Sequence, residues 1–220
     1  MMPNDLLTTD QPDDSNLQHP DKPEEACGVF GIYAPGEDVA KLTYFGLYAL
    51  QHRGQESAGI ATFDSEKLHL HKDMGLVSQV FNESILSELT GNLAVGHTRY
   101  STTGSSRVVN AQPAIGSCRL GAVAVAHNGN LVNTSELREE MTRRQYSFVS
   151  TTDTELIALA IASEVDSGKN WLEGCTSALK MCEGAFSLAI GTPAGLFGTR
   201  DPHGIRPLVI GTLEGNPTRY

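Results

Sequence analysis

The sequence predicts a layered domain of mixed strands and helices, two sheets covered by helices, of the α/β or α+β kind. Three observations carry this. Apolar runs of strand length recur through the chain, near 57–63, 68–72, 93–100 and 121–127. Two helical patterns then follow in close succession, at about 134–145 and 153–166. After a third, at about 170–182, the sequence returns to strand pattern near 185–191, 195–199 and 207–212.

Each element has its own local signal. Ordered sequence begins abruptly at Cys27-Gly28-Val29-Phe30-Gly31-Ile32-Tyr33, where Val29 and Phe30 between small residues predict a buried strand. Residues 38–51 carry Val39, Leu42, Phe45, Leu47 and Leu50 at near-helical spacing, which makes them the apolar face of a helix. His69 and His71 alternate along a strand and are expected to be exposed. The helix at 134–145 opens on Asn133 or Thr134, and Asn133 with Glu136 approximates a capping box. Thr152 with Glu155 makes another before 153–166, whose apolar face is Leu156, Ile157, Leu159, Ala160 and Ile161.

Residues 1–26 are different in kind. Seven acids face one base, Lys22, which supplies −6 of the formal net charge of −10 and leaves −4 for the other 194 residues. Leu6 and Leu7 are the only adjacent large aliphatics, so the segment buries no core. It lacks the apolar stretch of a secretory signal and is too acidic for a transit peptide. The expectation is an acidic propeptide, removed before Cys27. At the other end, Asn216-Pro217-Thr218-Arg219-Tyr220 has no cap or finished element, so the chain is expected to be cut there.

Bulk composition narrows the function. With 40% apolar residues and a mean hydropathy of −0.21, the chain suits a soluble globular protein. Its negative charge and scattered Lys and Arg argue against nucleic acid as partner. No apolar run approaches the roughly 18 residues that span a bilayer, so no membrane partner is expected. Cys27, Cys118, Cys175 and Cys182 form no C-x-x-C pair, which argues against a disulfide framework or a structural zinc site and suits a reducing, cytoplasmic compartment. Cys118, Cys175 and Cys182 read as core or surface thiols, and His97 and His127 are not spaced for a metal. There is no Walker motif and no G-x-G-x-x-G.

Four segments combine glycine with charged or amide residues: Gln51 to Gly59, Gly96 to Gly104, Ala126-His127-Asn128-Gly129-Asn130-Leu131, and Thr151 to Glu155. Singly, each has a plainer meaning. Asn128-Gly129 is a turn signal, Asp153 supports a helix N-terminus, and Arg99 suits a surface ion pair. Together with Cys27-Gly28-Val29-Phe30-Gly31-Ile32, the set resembles the class II glutamine amidotransferases. Within that class it is similar to the amidophosphoribosyltransferase family, through Leu50 to Gln55, Gly96 to Gly104, and Arg200-Asp201-Pro202-His203-Gly204-Ile205-Arg206-Pro207-Leu208. The aminosugar synthases of the class have Tyr-Arg-Gly-Tyr where this chain has His52-Arg53-Gly54-Gln55.

The resemblance covers about 24–220 and implies an α+β N-terminal nucleophile hydrolase fold: four αββα layers, two stacked antiparallel sheets covered by helices. It implies a glutaminase whose ammonia converts 5-phosphoribosyl-1-pyrophosphate to 5-phosphoribosylamine, the committed step of purine synthesis. Residues 27–220 would be the glutaminase domain, with the phosphoribosyltransferase domain absent. Cys27 would be the nucleophile, Asn128 and Gly129 the oxyanion donors, Arg99 the holder of the glutamine α-carboxylate with help from Thr102, and Asp153 the holder of the α-ammonium. Arg53 and Tyr100 would make contacts or carry signals toward the acceptor half. No cofactor is expected here. Mg²⁺ belongs with the transferase half, an iron–sulfur cluster in some relatives has ligands expected beyond Tyr220, and the full-length protein is expected to be a homo-oligomer. The alternatives are a class II amidotransferase with another acceptor, or a dead regulatory domain that keeps its leader.

The residues support that chemistry independently. A free thiol is mostly protonated at neutral pH, its ordinary pKa being about 8.5. Removal of residues 1–26 would give Cys27 an α-amine with a pKa of about 7.7–8, a proton acceptor within the same residue.

Overall fold

The computed structural model describes residues 27–64, 67–100 and 107–212. The acidic leader, Thr102 and the last eight residues lie outside them. The first sheet comprises β1 (Gly28–Tyr33), β2 (Ser57–Phe63), β3 (Leu68–Met74) and β4 (Leu93–Arg99), in the order β1-β4-β2-β3. The second comprises β5 (Ala114–Cys118), β6 (Gly121–Leu131), β7 (Gly184–Thr192) and β8 (Gly195–Arg200), in chain order. Every strand pairing is antiparallel.

Helices α1 (Val39–Ala49), α2 (Val77–Val80) and α3 (Glu83–Glu88) pack on the first sheet through Val39, Leu47, Ile60, Val77 and Val80. On the second sheet, α4 (Thr134–Arg143), α5 (Asp153–Asp166) and α6 (Trp171–Leu179) bury Leu137, Ile157, Ile161 and Trp171 against Val123, Val125 and Leu188. Between the sheets lie Ala61, Phe63, Leu93, Val95, Ala124, Ala126 and Ala189. This is the αββα arrangement the sequence predicts.

Local chemistry explains several boundaries. Asp38 accepts from the Lys41 N–H at 3.0 Å to start α1, and Thr152 accepts from the Glu155 N–H at 3.3 Å to start α5. Asn170 and Glu173 close a full capping box at α6, with bonds of 3.0 and 3.1 Å. The box expected at Asn133 does not form. Asn133 instead ties α4 to the segment before β7, accepting from the Glu183 N–H at 3.0 Å and donating to the Met181 carbonyl at 2.8 Å.

Other expectations are corrected in the same way. Residues 207–212 form no strand. Phe45 is 62% exposed, because α1 turns Thr43 inward instead, where its hydroxyl is absorbed by the Val39 carbonyl at 2.7 Å. His69 and His71 are only part-exposed: the first lies 3.1 Å from Asp64, and the second packs edge-on to Phe81.

Strand alternation sorts the polar residues among the layers. On β4, Leu93 and Val95 face the opposite sheet, and His97 and Arg99 follow them. On β6, Ala124 and Ala126 face inward, which carries Asn128 inward and turns His127 toward α5. His97 is fully buried and reaches across the apolar layer, its Nε2 lying 3.0 Å from the His127 carbonyl. A carbonyl only accepts, so this nitrogen carries the hydrogen.

Burial drives the His97 pKa down from 6.5 to about 3, against the opposing pull of that carbonyl. The group is neutral when folded and protonates more readily when unfolded. Its stabilising contribution is therefore complete above about pH 6.5 and is lost as pH falls toward about 3, at up to about 1.4 kcal/mol per pH unit. Comparing denaturation midpoints from pH 7 to pH 4, we expect His97→Gln to lose less stability on acidification than the parent.

Candidate active site

One cavity of about 350 Å³ opens where β1, β4 and β6 meet the start of α5, within the range of small-molecule sites, about 300–1,000 Å³. Its lining includes Cys27, Arg99, Tyr100, His127, Gly129 and Asp153. The structure thus brings residues from four separate sequence segments to one space. Asn128, 5% exposed, lies in β6 between two of them. Thr102 lies outside the described residues.

Cys27 immediately precedes β1 and is part-buried. Its thiol donates to the Tyr100 carbonyl at 3.7 Å, and its own carbonyl accepts from Arg53 Nε at 3.2 Å. Arg53 therefore holds the backbone of Cys27. Burial pushes the thiol pKa up, outweighing the lowering by Tyr100 and Arg99. In this environment the sulfur needs a base to ionise.

Arg99 ends β4, is 4% exposed, and has Nη1 3.5 Å from Glu56 Oε1. Burial alone would push the Asp153 carboxyl up. The His127 ring together with the main-chain groups of Leu131 and Thr154 hold it below the ordinary carboxylate range. The cavity consequently presents a buried guanidinium and an ionised carboxylate.

Asn128-Gly129 is not a turn but the interior of β6, paired with Ser187 and Phe186 of β7. Gly129 has φ +151°, and a Cβ there would stand 2.0 Å from the Ala185 carbonyl oxygen. Both Phe186 main-chain groups bond Asp201, with distances of 2.9 and 3.2 Å. β5 stops opposite Val125, so the far edge of β6 is open beyond that point. On that edge the His127 N–H donates to Gln112 Oε1 at 2.8 Å, and the Leu131 N–H donates to Asp153 Oδ2 at 3.1 Å. Gly129 falls between them with the same orientation, which directs its N–H into the cavity.

The surrounding loops are held by polar ties that the sequence does not announce. Lys72 Nζ donates to the Ala111 and Pro113 carbonyls at 2.5 and 3.3 Å. Asn110 accepts from the Thr151 N–H at 3.1 Å. Glu155, read from sequence as half of a capping box, instead accepts from the Val149 and Ser150 N–H groups at 2.8 and 2.9 Å and shapes the loop ahead of Thr151. Asp201 accepts from the N–H groups of His203 and Ile205 at 2.9 and 3.2 Å, in the manner of an Asx-turn. Gln112, Glu56 and His127 have no sequence signal of this kind.

Known proteins resemble this chain in sequence and in fold. Residues 97–218 match the family described as glutamine amidotransferase domain. An amidophosphoribosyltransferase of Synechocystis sp. is 71% identical over 203 residues, covering 92% of this chain and 41% of that protein. One from Synechococcus elongatus is 63% identical over 221 residues, covering 100% of this chain and 45% of that protein. The solved glutamine phosphoribosylpyrophosphate amidotransferase from B. subtilis, complexed with ADP and GMP, superposes with a TM-score of 0.75 at 39% identity, over 85% of this chain and 40% of that one. The chain spans less than half the length of these relatives. Among the described residues no helix is long and apolar enough to cross a membrane.

Gly129→Ala should be severe, because it combines a strained φ with a backbone collision. A loss of about 2 kcal/mol or more in chemical denaturation is expected.

Proposed function

We infer from one premise, that this chain belongs to the glutamine amidotransferase family in its amidophosphoribosyltransferase branch, that it hydrolyses the side-chain amide of glutamine with Cys27 as nucleophile. The observation that carries this reading is the single cavity lined by Cys27, Arg99, Gly129 and Asp153. Glutamine is a zwitterion with an amide at its far end. Arg99 suits its α-carboxylate and Asp153 its α-ammonium, which leaves the carboxamide to meet Cys27.

The raised thiol pKa makes a base necessary, and the α-amine of residue 27 supplies one once residues 1–26 are removed. The amine takes the thiol proton as Sγ attacks the carboxamide carbon. Negative charge collects on the amide oxygen, where the Gly129 N–H and the Asn128 side-chain amide receive it, a donor of this kind contributing about 3–4 kcal/mol. The proton passes to the departing nitrogen, which leaves as ammonia, and a thioester remains on Cys27. Water then attacks the thioester, glutamate leaves, and the thiol is restored. Arg53 and Tyr100 hold the nucleophile through its carbonyl and thiol.

The ammonia serves the conversion of 5-phosphoribosyl-1-pyrophosphate to 5-phosphoribosylamine, in the first committed step of purine synthesis. This part of the reading rests on the names of the relatives, of whose length the chain spans less than half.

Two measurements test the proposal. Cys27→Ser should lower glutamine hydrolysis by about a thousandfold or more, since a hydroxyl, far less acidic and less nucleophilic, replaces the thiol. Intact mass of the active protein should correspond to a chain that begins at Cys27. Full-rate hydrolysis by a chain that still carries residues 1–26 would remove the amine from the mechanism.

A further inference from the structure

His127 takes no step in that chemistry, yet it is bonded from three directions. It is 2% exposed and lines the cavity. Its N–H is taken by Gln112 and its carbonyl by His97. Its ring Nδ1 lies 3.3 Å from Asp153 Oδ1 and 3.3 Å from Thr154 Oγ1, while Nε2 is buried without a partner. An ionised carboxylate only accepts, so Nδ1 carries the hydrogen. The Cys27 thiol, for its part, donates to the Tyr100 carbonyl.

Asp153 is the first residue of α5. The Leu131 N–H holds Oδ2 at 3.1 Å, while the His127 ring, at 3.3 Å, and the Thr154 hydroxyl, at 3.4 Å, both reach Oδ1. Each carboxylate oxygen has two lone pairs, so Oδ2, with one donor, keeps acceptor capacity for a cation in the cavity. Resting on the glutaminase reading above, we propose that His127 is a positioning residue: its Nδ1–H fixes the orientation of the Asp153 carboxylate and thereby the recognition of the substrate's α-ammonium. Without that donor Oδ1 keeps only the longer Thr154 contact, the carboxylate is held less tightly in that orientation, and a ligand with an α-ammonium binds more weakly. A ligand lacking that group loses nothing.

The test uses the full chain and two competitive inhibitors of glutamine hydrolysis, L-glutamate and glutarate, which differ only in the α-amine. Asparagine places an amide N–H where Nδ1 stands, whereas glutamine places it further out and leucine has none. In His127→Gln and His127→Leu, inhibition by glutamate should weaken about 10-fold or more, as for loss of a charged hydrogen bond, with glutarate changed less than about threefold. The KM for glutamine should rise by more than kcat falls. His127→Asn should restore the preference for glutamate. Equal weakening of both inhibitors, a fall in kcat with KM unchanged, or a folded His127→Asn without the preference would each overturn the proposal. Should the Gln and Leu variants fail to fold, His127→Asn alone decides between these outcomes. Failure of the glutaminase reading shows separately, as hydrolysis that survives Cys27→Ser.

Discussion

One hydrogen bond sets the relation between the two halves of this domain at the site. His97, on the inner face of the first sheet, donates from Nε2 to the carbonyl of His127 on the second. The apolar layer between the sheets is built from alanine, valine, leucine and phenylalanine, whose packing is non-directional. A sandwich held by such contacts alone tolerates small slides of one sheet over the other. The polar tie does not, because breaking it would leave both a buried ring nitrogen and a buried carbonyl unpaired, at a cost of about 1–3 kcal/mol per group.

The consequences run outward from residue 127. Its carbonyl is fixed to β4, two residues before Arg99, and its N–H to Gln112. The next residues along the strand are Asn128 and Gly129, of which Gly129 shares the cavity with Cys27 and Arg99. The open edge of β6 then offers alternate N–H groups to Gln112, to the cavity and to Asp153. Cys27, Arg99, Gly129 and Asp153 are consequently placed by strands and by the first residue of a helix. The loops beside them are pinned in turn by Lys72, Asn110 and Glu155.

The parts of this fold legible in the sequence are those with local causes. The start of α5 follows from the cap at Thr152, and β2 from its apolar run. The gathering of Cys27, Arg99, Gly129 and Asp153 was legible only through the resemblance, because no local rule brings four distant segments together. Where local rules mislead, a tertiary partner overrides them. Asn128-Gly129 reads as a turn, but the missing Cβ of Gly129 serves close approach to Ala185 within the sheet. Residues 207–212 carry a strand-like pattern but pair with no strand among the described residues. Phe45 stands on the far side of α1 from the buried Val39, Ala40, Thr43 and Leu47. His127 was dismissed for lack of a metal spacing, and its ties to His97, Gln112 and Asp153 all come from other elements.

The central claim is that a glutamine held in this cavity meets the sulfur of residue 27 and no other. Treating the mature protein with a diazoketone analogue of glutamine, followed by peptide mass mapping, tests it most directly. The account predicts one adduct, on Cys27, suppressed by excess glutamine. An adduct on Cys118, Cys175 or Cys182, or one on Cys27 that glutamine fails to suppress, would contradict it.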